Sequence, residues 1–348
     1  MNRKLLAATA FAAVIGTAVA GCGSGNGAEV DKNGLTVVKL RHSWIPDDIM
    51  LPIVAAKEMG YYRDAGIDLQ DQVGDGSATA AKLVANGDVM IGTGEASTVI
   101  TSRSNGMDLV NIATQFQKNS TVLASMKNKN IKDWADLKGK KISISFTSSA
   151  YAAMLAAFKN KGLSEKDVQF VNLPPGADLK SLPTGEIDVA CVFVANLAPL
   201  DYKDDLNSLA FADAGINWPS TGYFVRADTL KNNKDLLVKW LGATLKGLQY
   251  TIDNPDKAAE LMAKAYPDVK ADAVLARWKL SAPYVTGGVA GALGHQVPEA
   301  WAQEEKDLLA AGIIKKEIDP ASAYTNDIVD ALASERERRW PWQREIGG

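Results

Sequence analysis

The fold is decided by "GIDLQDQVGDGSATAAKLVANGDVMIGTG", which runs from Gly66 to Gly94. Its first residues alternate between apolar and polar as in a β-strand, its middle has the spacing of a helix that begins near Ser77, and its last residues form a short apolar strand. Gly87 suits the end of that helix, because glycine adopts a left-handed backbone at little cost. A strand, a helix and a second strand in this order predict a parallel sheet with the helix packed on one face.

The alternation of strand and helix extends on both sides of this stretch. It begins with "LTVVKLRHSW" at Leu35, reaches the strand-like "LVNIATQFQ" that ends at Gln117, and then restarts for a second round that ends in "TGYFVRAD". The chain after this point is mostly helical in pattern. We therefore predict an α/β protein of two lobes, each with a mostly parallel sheet flanked by helices, and a helical C-terminal tail. Parallel sheets bind ligands at the carboxyl ends of their strands, so we expect the site in a cleft between the lobes.

The N-terminal sequence "MNRKLLAATAFAAVIGTAVAGC" has a basic start, an apolar run and then small residues, and it predicts an export signal over residues 1–21. The "VAGC" that ends at Cys22 resembles the lipobox of bacterial lipoproteins. The resemblance implies lipidation of Cys22 and an anchor to the outer face of the cell membrane. An ordinary cleaved signal with an incidental cysteine is the alternative. Residues 22–34 are rich in glycine and polar residues and predict a flexible tether.

Composition excludes several classes of function. The 348 residues are 47% hydrophobic and 23% charged with a net charge of −3, which fits a globular protein and offers no basic excess for nucleic acid. Only His42 and His295 are present, and the two cysteines are Cys22 and Cys191, so neither a zinc cluster nor a Ser-His-Asp set is visible. Cys191 lies in the apolar run "IDVACVFV", which favours a buried structural thiol over a nucleophile. We predict no cofactor, no metal and no enzymatic activity.

Polar and aromatic residues follow the predicted strands at the corners where helices begin. Ser43 and Trp44 come directly after the first strand, where the indole either stacks on a flat ligand or packs between strand and helix. Glu95 stands at the start of a helix, where it either caps that helix or binds an amino-bearing ligand. Gly76 and Ser77 precede another helix, whose free N–H groups either bind a ligand or are capped by the serine.

The stretch "KKISISFTSSAYAAM", from Lys140 to Met154, places three hydroxyl residues between a strand and a helix, namely Thr147, Ser148 and Ser149. Only one hydroxyl is needed to cap the helix. The surplus predicts a polar site for a carboxylate, a sulfonate, a phosphate or a ring carbonyl. Capping without any ligand is the alternative.

Three motifs carry a family resemblance: "PIVAAKEMGYYRDAGIDLQ", "GSATAAKLVANGDVMIGTGE" and "WADLKGKKISIS". In this order they resemble the periplasmic solute-binding proteins of nitrate, sulfonate, taurine and pyrimidine-precursor ABC importers, over about Leu35 to Arg226. The resemblance implies a type II periplasmic-binding-protein fold, in which two crossover strands, near Phe116–Met126 and Gly222–Ala227, join the lobes. The boundaries that it implies are 35–121 plus 225–348 for lobe one and 122–224 for lobe two.

The resemblance also implies a function. Such a protein traps a small organic molecule between its lobes and delivers it to a membrane permease served by an ATPase, here as a monomer held by the lipid anchor. Where many members have a V-W-E-P-like sequence this chain has "VFVANLAP", so knowledge of the acid at that loop does not transfer. The full set of candidate ligand-binding residues is Ser43, Trp44, Gly76, Ser77, Glu95, Ala96, Gln115, Thr147, Ser148, Ser149, Phe193, Asn196, Trp218 and Tyr223.

The ligand class is inferred from the same corners. No arginine falls in the last three corner loops and the aim of Arg41 is open, so an arginine clamp for an anion is not visible. Trp44, Tyr223 and Glu95 instead favour a flat, amino-bearing heterocycle such as a pyrimidine precursor. An alkanesulfonate, taurine or a nitrate-like anion is the alternative ligand. An enzyme or a surface interaction protein on the same fold is the second alternative.

Overall fold

The computed structural model describes residues 29–174, 176–286 and 293–339. The strands within these ranges are β1 (Thr36–Arg41), β2 (Ile67–Gln72), β3 (Ile91–Gly94), β4 (Leu109–Thr114), β5 (Thr121–Met126), β6 (Lys141–Ser143), β7 (Gln169–Val171), β8 (Val189–Phe193), β9 (Leu206–Ala210) and β10 (Gly222–Arg226). The helices are α1 (Leu51–Glu58), α2 (Tyr61–Asp64), α3 (Ser77–Asn86), α4 (Ala96–Ser104), α5 (Ser149–Asn160), α6 (Asp178–Thr184), α7 (Ala227–Asn232), α8 (Lys234–Asp253), α9 (Pro255–Ala265), α10 (Ala271–Thr286), α11 (Pro298–Ala310) and α12 (Asp327–Arg339). None of these described helices is long and apolar enough to cross a membrane.

Two five-stranded mixed sheets form the centres of the two lobes, in the orders β2-β1-β3-β10-β4 and β7-β6-β8-β5-β9. In the first sheet β1 runs parallel to β2 and β3, while β10 runs antiparallel between β3 and β4. In the second sheet β6 runs parallel to β7 and β8, while β5 runs antiparallel between β8 and β9. Each sheet thus receives one antiparallel strand as the chain crosses between the lobes. The predicted α/β fold of two lobes is confirmed.

The stretch from Gly66 to Gly94 forms the elements that its pattern predicts. Ile67 and Leu69 of β2 are buried, α3 begins at Ser77, and Gly87 ends that helix with a φ of 85°. The short strand β3 lies inside the sheet and is buried over its whole length. The carboxyl ends of β1 and β3 therefore lie side by side at one edge of the sheet.

Two predicted lobe boundaries are corrected by the pairing of the strands. Thr121, assigned to lobe one, pairs with Phe193 in the second sheet. Gly222 to Phe224, assigned to lobe two, pair with β3 and β4 in the first sheet. Two strands that are joined by backbone hydrogen bonds belong to the same sheet, so strand pairing shows the lobe of a strand more directly than the sequence motifs do.

The tether predicted over residues 22–34 is described only in its last part, and that part is ordered. The Glu29 carbonyl accepts a hydrogen bond from Val37 N at 2.7 Å, and the Asp31 carboxylate accepts two backbone N–H groups, each at 2.8 Å. These bonds fold the segment onto the start of β1, so it is a turn rather than a free tether. The predicted export signal and Cys22 lie outside the described residues.

Helix α11 packs on both lobes, against α4 of lobe one and α5 of lobe two. Its Trp301 is fully buried in a hydrophobic core that continues from one lobe into the other, and its ring stacks on Tyr324 with centroids 5.1 Å apart. Asp307 of the same helix accepts a hydrogen bond from the indole Nε1 of Trp218 at 2.8 Å. Helix α11 therefore joins the lobes, and a motion between them must repack its contacts.

Candidate functional site

A cavity of about 460 Å³ lies between the two lobes, at the carboxyl ends of strands from both sheets. This volume is within the usual range of pockets that bury a small organic ligand. Lobe one contributes the loop after β1, the N-termini of α3 and α4, and one residue of α10. Lobe two contributes the loops after β6 and β7 and the segment that follows β8. The polar and aromatic lining includes Ser43, Trp44, Asp47, Ser77, Glu95, Ser145, Ser148, Asp178, Phe193, Asn196, Tyr202 and Arg277.

Trp44 is half-buried in the cavity wall and is part of none of the three hydrophobic cores of the described residues. Its backbone is fixed, because Trp44 O accepts a hydrogen bond from Gly74 N at 2.8 Å and the neighbouring Ser43 N donates to Thr93 Oγ1 at 2.7 Å. A fixed backbone with a half-exposed indole presents a flat apolar face to the cavity. Of the two interpretations of Trp44, this geometry favours stacking on a ligand.

Glu95 stands at the N-cap position of α4, but its side chain does not cap the helix. One carboxyl oxygen accepts a hydrogen bond from Ser77 Oγ at 2.8 Å, and the other accepts a longer one from Thr221 Oγ1 at 3.4 Å. Glu95 is 5% exposed and lines the cavity. Ser77 likewise makes no cap, since it is the first residue of α3 and its hydroxyl is directed to Glu95. Neighbouring hydroxyls therefore fix an acceptor group in the cavity wall.

The three hydroxyls before and at the start of α5 have three different roles. Ser148 caps the helix and also lines the cavity. Thr147 crosses to lobe one, where its Oγ1 donates to Asp75 O at 3.0 Å and its carbonyl accepts from Ala78 N at 3.1 Å. Ser149 faces a second groove of about 370 Å³, which α3, α4 and α5 line. Of the three predicted residues, Ser148 alone lies at the wall of the larger cavity.

The contact of Thr147 with lobe one depends on Gly76. The φ of Gly76 is 153°, a conformation that other residues rarely adopt. A Cβ at this position would lie 2.3 Å from Thr147 Oγ1, so a larger residue forces the lobe-two loop to move. The structure thus gives Gly76 a place where the lobes meet, and not in the cavity lining.

Asp47 and Arg277 line the cavity but are absent from the predicted set of ligand-binding residues. Asp47 is 3% exposed, and its Oδ1 accepts a hydrogen bond from Ile49 N at 3.0 Å. The adjacent Asp48 accepts a hydrogen bond from Ser281. Arg277 attracts both acids, and its buried Nε has no hydrogen-bond partner among the described residues. Burial, followed by repulsion from Asp48, raises the pKa of Asp47 to about 8, and burial also raises the pKa of Asp48.

Asp178 and Cys191 line the cavity from lobe two. Burial raises the pKa of the Asp178 carboxyl, which accepts a hydrogen bond from Leu179 N at 3.0 Å. Burial and the nearby Asp178 hold the pKa of the Cys191 thiol well above its usual value. Cys191 packs against the hydrophobic core, as its apolar surroundings in the sequence predict, but it is only half-buried because it also lines the cavity. A protonated thiol is a poor nucleophile, so this environment does not support catalysis by Cys191.

Several predicted residues lie outside the cavity lining. Tyr223 and Gln115 line a small recess that shares Trp44 and Asp47 with the cavity, and the Tyr223 hydroxyl donates to Gln115 Oε1. Trp218 is 2% exposed and lies in the hydrophobic core, where its hydrogen bond to α11 holds it. Ala96 is buried in the same core. These side chains contact the core or one another and do not line the cavity, so they support its wall.

The sequence contained a signal for Asp47 but none for Arg277. Asp47 ends the corner "RHSWIPD" and so follows a strand in the same way as the predicted site residues. Arg277 lies in the middle of α10, and its arrival at the cavity depends on how that distant helix packs. An arginine therefore lines the cavity although none is visible in the last three corner loops. Arg41, whose aim was open, forms an ion pair with Asp75 at 3.1 Å.

Comparison with known families decides the assignment. The family model described as "NMT1/THI5 like" matches residues 49–258, which is more than half of the chain. The chain belongs to this family. The resemblance inferred from the sequence motifs is confirmed, since the similar proteins include binding proteins for riboflavin, taurine and sulfonates.

Relatives of this NMT1/THI5-like protein bind or make different compounds. It is 28% identical over 308 residues to the riboflavin-binding protein RibY of Chloroflexus aurantiacus, which covers 85% of this chain and 86% of that one. It is 22% identical over 245 residues to a 4-amino-5-hydroxymethyl-2-methylpyrimidine phosphate synthase of Legionella pneumophila, which covers 67% and 75%. Among solved structures, the alkanesulfonate-binding protein SsuA of Xanthomonas axonopodis pv. citri matches with a TM-score of 0.69 at 14% identity, over 83% of this chain and 98% of that one. The likeness to SsuA confirms the fold of this NMT1/THI5-like protein.

Proposed function

We propose that this NMT1/THI5-like protein is the substrate-binding component of an ABC importer and that it traps a flat, neutral nitrogen heterocycle of the pyrimidine type between its lobes. Riboflavin, whose ring system contains a fused pyrimidinedione, is the first candidate ligand. The observation that carries the proposal is the half-buried Trp44 at a cavity that also holds carboxyl groups and a guanidinium.

The apolar part of the cavity suits a flat ring. Trp44 and Ile45 stand on lobe one, while Leu173, Pro174 and Leu200 stand on lobe two. Stacking on an aromatic face stabilises a bound ring by about 0.5–1.5 kcal/mol beyond the burial of its area. A ring held between these walls would be selected by shape, and its polar edge would reach the charged residues.

The charged residues of the cavity supply hydrogen-bond acceptors and donors together. Glu95 and Asp47 contribute carboxyl oxygens, and Arg277 contributes N–H groups. A neutral heterocycle with N–H and carbonyl or ring-nitrogen groups on one edge can satisfy both kinds. A sulfonate has acceptors only, so it cannot donate a hydrogen bond to the carboxyl oxygens of Glu95 and Asp47 at the cavity wall.

The similarity to RibY supports a flavin as the member of this class to test first. That similarity extends over most of both chains, whereas SsuA is similar mainly in fold. RibY is named for riboflavin, which combines the flat ring and the donor–acceptor edge that the cavity favours.

The proposal is tested by titrating purified, refolded protein with riboflavin and following the quenching of flavin fluorescence that stacking on an indole causes. A thermal-shift panel adds 4-amino-5-hydroxymethyl-2-methylpyrimidine, taurine, an alkanesulfonate and nitrate, since a ligand stabilises the folded state by mass action. We expect riboflavin or the pyrimidine to bind and raise Tm. A shift by the sulfonates alone would show that the ligand class is wrong, and chemical turnover of the bound compound would show that the protein is an enzyme.

Arg277 gives the anion alternative a specific basis. A guanidinium in a cavity is a strong donor to sulfonate and carboxylate groups. The same thermal-shift panel separates the alternatives, because an Arg277-centred anion site would respond to alkanesulfonates or taurine and ignore neutral rings.

The proposed importer role includes a location and partners. The protein would be exported, anchored through lipidated Cys22 at the outer face of the cell membrane, and would dock as a monomer on a permease served by an ATPase. The N-terminal sequence and the family membership support these parts of the proposal.

A further inference from the structure

We propose that Asp47 presents a neutral carboxyl group that pairs with a donor–acceptor edge of the bound heterocycle, so that ligand binding requires a proton on Asp47. This inference rests on the proposed function and deepens it, because it names the chemical edge that the site recognises. It also makes binding weaker in alkaline solution.

The position of Asp47 leaves one of its carboxyl oxygens available to a ligand. Oδ1 accepts the hydrogen bond from Ile49 N, whereas Oδ2 makes no hydrogen bond with a described residue and is not among their buried unpaired atoms, so it is accessible from the cavity. The residue is 97% buried, since its exposed fraction is 3%, and it lines both the cavity and the small recess next to it. A ligand that covers Oδ2 removes it from water, and burying a polar atom without a partner is costly, so a ligand that pairs with Oδ2 binds more tightly than one that does not.

The charges around Asp47 favour its neutral form. The groups that face it are Asp48 in the same turn, Glu95 at the start of α4 and Arg277 on α10. The adjacent buried carboxyl groups of Asp47 and Asp48 do not readily ionise together, because the second negative charge adds repulsion without solvent to screen it. Ser281 donates to Asp48, and this hydrogen bond favours the ionised form of Asp48. Asp47 lacks such a hydroxyl donor and is therefore the best place for the proton.

A neutral carboxyl group is a donor and an acceptor at once. Its Oδ2–H can donate to a ring carbonyl or ring nitrogen, while Oδ1 accepts the adjacent ring or amino N–H in addition to Ile49 N. A pyrimidinedione and an aminopyrimidine both offer such an edge. An ionised Asp47 would instead direct its lone pairs at those of the ring acceptor. Arg277, whose buried Nε makes no hydrogen bond with a described residue, can donate to a second carbonyl of the same ring.

The test measures the riboflavin Kd of the native protein between pH 6 and pH 9. The pKa of Asp47 is raised to about 8. The neutral fraction then falls about tenfold between pH 7 and pH 9, and we expect Kd to rise by the same factor. Asp47→Asn keeps a donor and an acceptor that do not titrate, so its ratio of Kd values at the two pH values should be close to one.

Asp48→Asn is the matched control, because it makes the same exchange at a carboxyl group that does not line the large cavity. The loss of affinity with pH should persist in this variant. Its midpoint should move to lower pH, since Asp48 no longer repels the charge on Asp47. A second measurement uses 3-methylriboflavin, which lacks the N–H of the edge and should bind the native protein at least tenfold more weakly than riboflavin.

The outcomes separate this inference from the proposed function. A drop in affinity with pH that is the same in Asp47→Asn as in the native protein overturns the inference, as does equal affinity for riboflavin and its 3-methyl derivative. If only the aminopyrimidine binds, its Kd is measured by calorimetry over the same pH range. A loss of affinity with pH that is absent in Asp47→Asn then supports the inference, and one that persists there overturns it. If no heterocycle binds the native protein, the proposed function itself fails. Circular dichroism shows whether each variant is folded. If Asp47→Asn does not fold, the inference is tested by comparing the affinities of the native protein for riboflavin and 3-methylriboflavin.

Discussion

At the scale of single residues, Trp44 combines a fixed backbone with a side chain that packs in no core of the described residues. Its removal should therefore weaken binding without unfolding the protein. Trp44→Ala should weaken riboflavin binding by more than about 1 kcal/mol, while the ligand-free Tm changes little. Fluorescence titration and thermal unfolding measure the two quantities. Trp44→Phe keeps an aromatic face and should recover most of the affinity, and an alanine variant that fails to fold would instead assign Trp44 to the core.

How well single residues could be predicted depended on whether the local sequence fixes their position. Trp44, Glu95 and Ser148 lie in the connections that lead from a strand to the next helix, and the structure brings all three to the cavity wall. Trp218 is also an aromatic residue in a loop, but its partner Asp307 lies far along the chain, and nothing local tells which way the indole turns. Arg277 was not predicted for the same reason, since the packing of α10 and not the local sequence brings it to the cavity.

At the scale of elements, helix α11 carries a buried acid that should couple stability to pH. Glu304 is fully buried, and burial, with repulsion from Glu95 and Asp307, raises its pKa well above its usual value. Ser97 lies beside it, but neither carboxyl oxygen makes a hydrogen bond of good geometry with a described residue. The folded state therefore holds a proton that the unfolded chain releases above its own, ordinary pKa.

This proton sets the sign of the pH dependence. The contribution of Glu304 to stability is fully present below the unfolded pKa and is lost as the pH rises toward the raised, folded value, by up to about 1.4 kcal/mol per pH unit. Glu304→Gln should make this loss smaller between pH 5 and pH 8, as measured by urea unfolding. Glu299→Gln exchanges an exposed residue of the same helix and should leave the slope of the native protein unchanged. Equal slopes in the native protein and Glu304→Gln would show that Glu304 is ionised when folded.

At the scale of the whole molecule, the two lobes meet where Gly76 faces Thr147. Gly76→Ala places a methyl carbon 2.3 Å from Thr147 Oγ1 and should hold the lobes apart. We expect riboflavin binding at least about tenfold weaker, or 1.4 kcal/mol, and a larger radius of gyration by small-angle X-ray scattering of the liganded protein. Gly162→Ala is the control, since Gly162 also has a positive φ but has no atom near its missing Cβ. Equal effects of the two variants would assign the loss to backbone strain.

The sequence predicted the two-lobe architecture well, because alternation, helix stops and crossover strands are local signals that repeat. The lobe boundaries were displaced by a few residues, since the chain passes between the lobes within the short segment from Gln117 to Ser120 and the motifs do not show where pairing begins. The place of α11 was not predictable. A helix of the tail would show the same apolar face whichever lobe it packs on. Only the tertiary structure shows that α11 packs on both lobes, through the shared core around Trp301.

The thiol of Cys191 can report whether the cavity holds a ligand. It is the one cysteine among the described residues, and its thiol lies at the cavity wall with a pKa that burial holds high. Alkylating reagents attack the thiolate, so they should reach this residue slowly and through the cleft between the lobes. A bound compound blocks that route. The rate of Cys191 alkylation, measured by mass spectrometry, therefore reports how much of the protein has a compound bound. Fractions of a cell extract that contain the ligand should lower this rate, even when the compound carries no label and its identity is unknown.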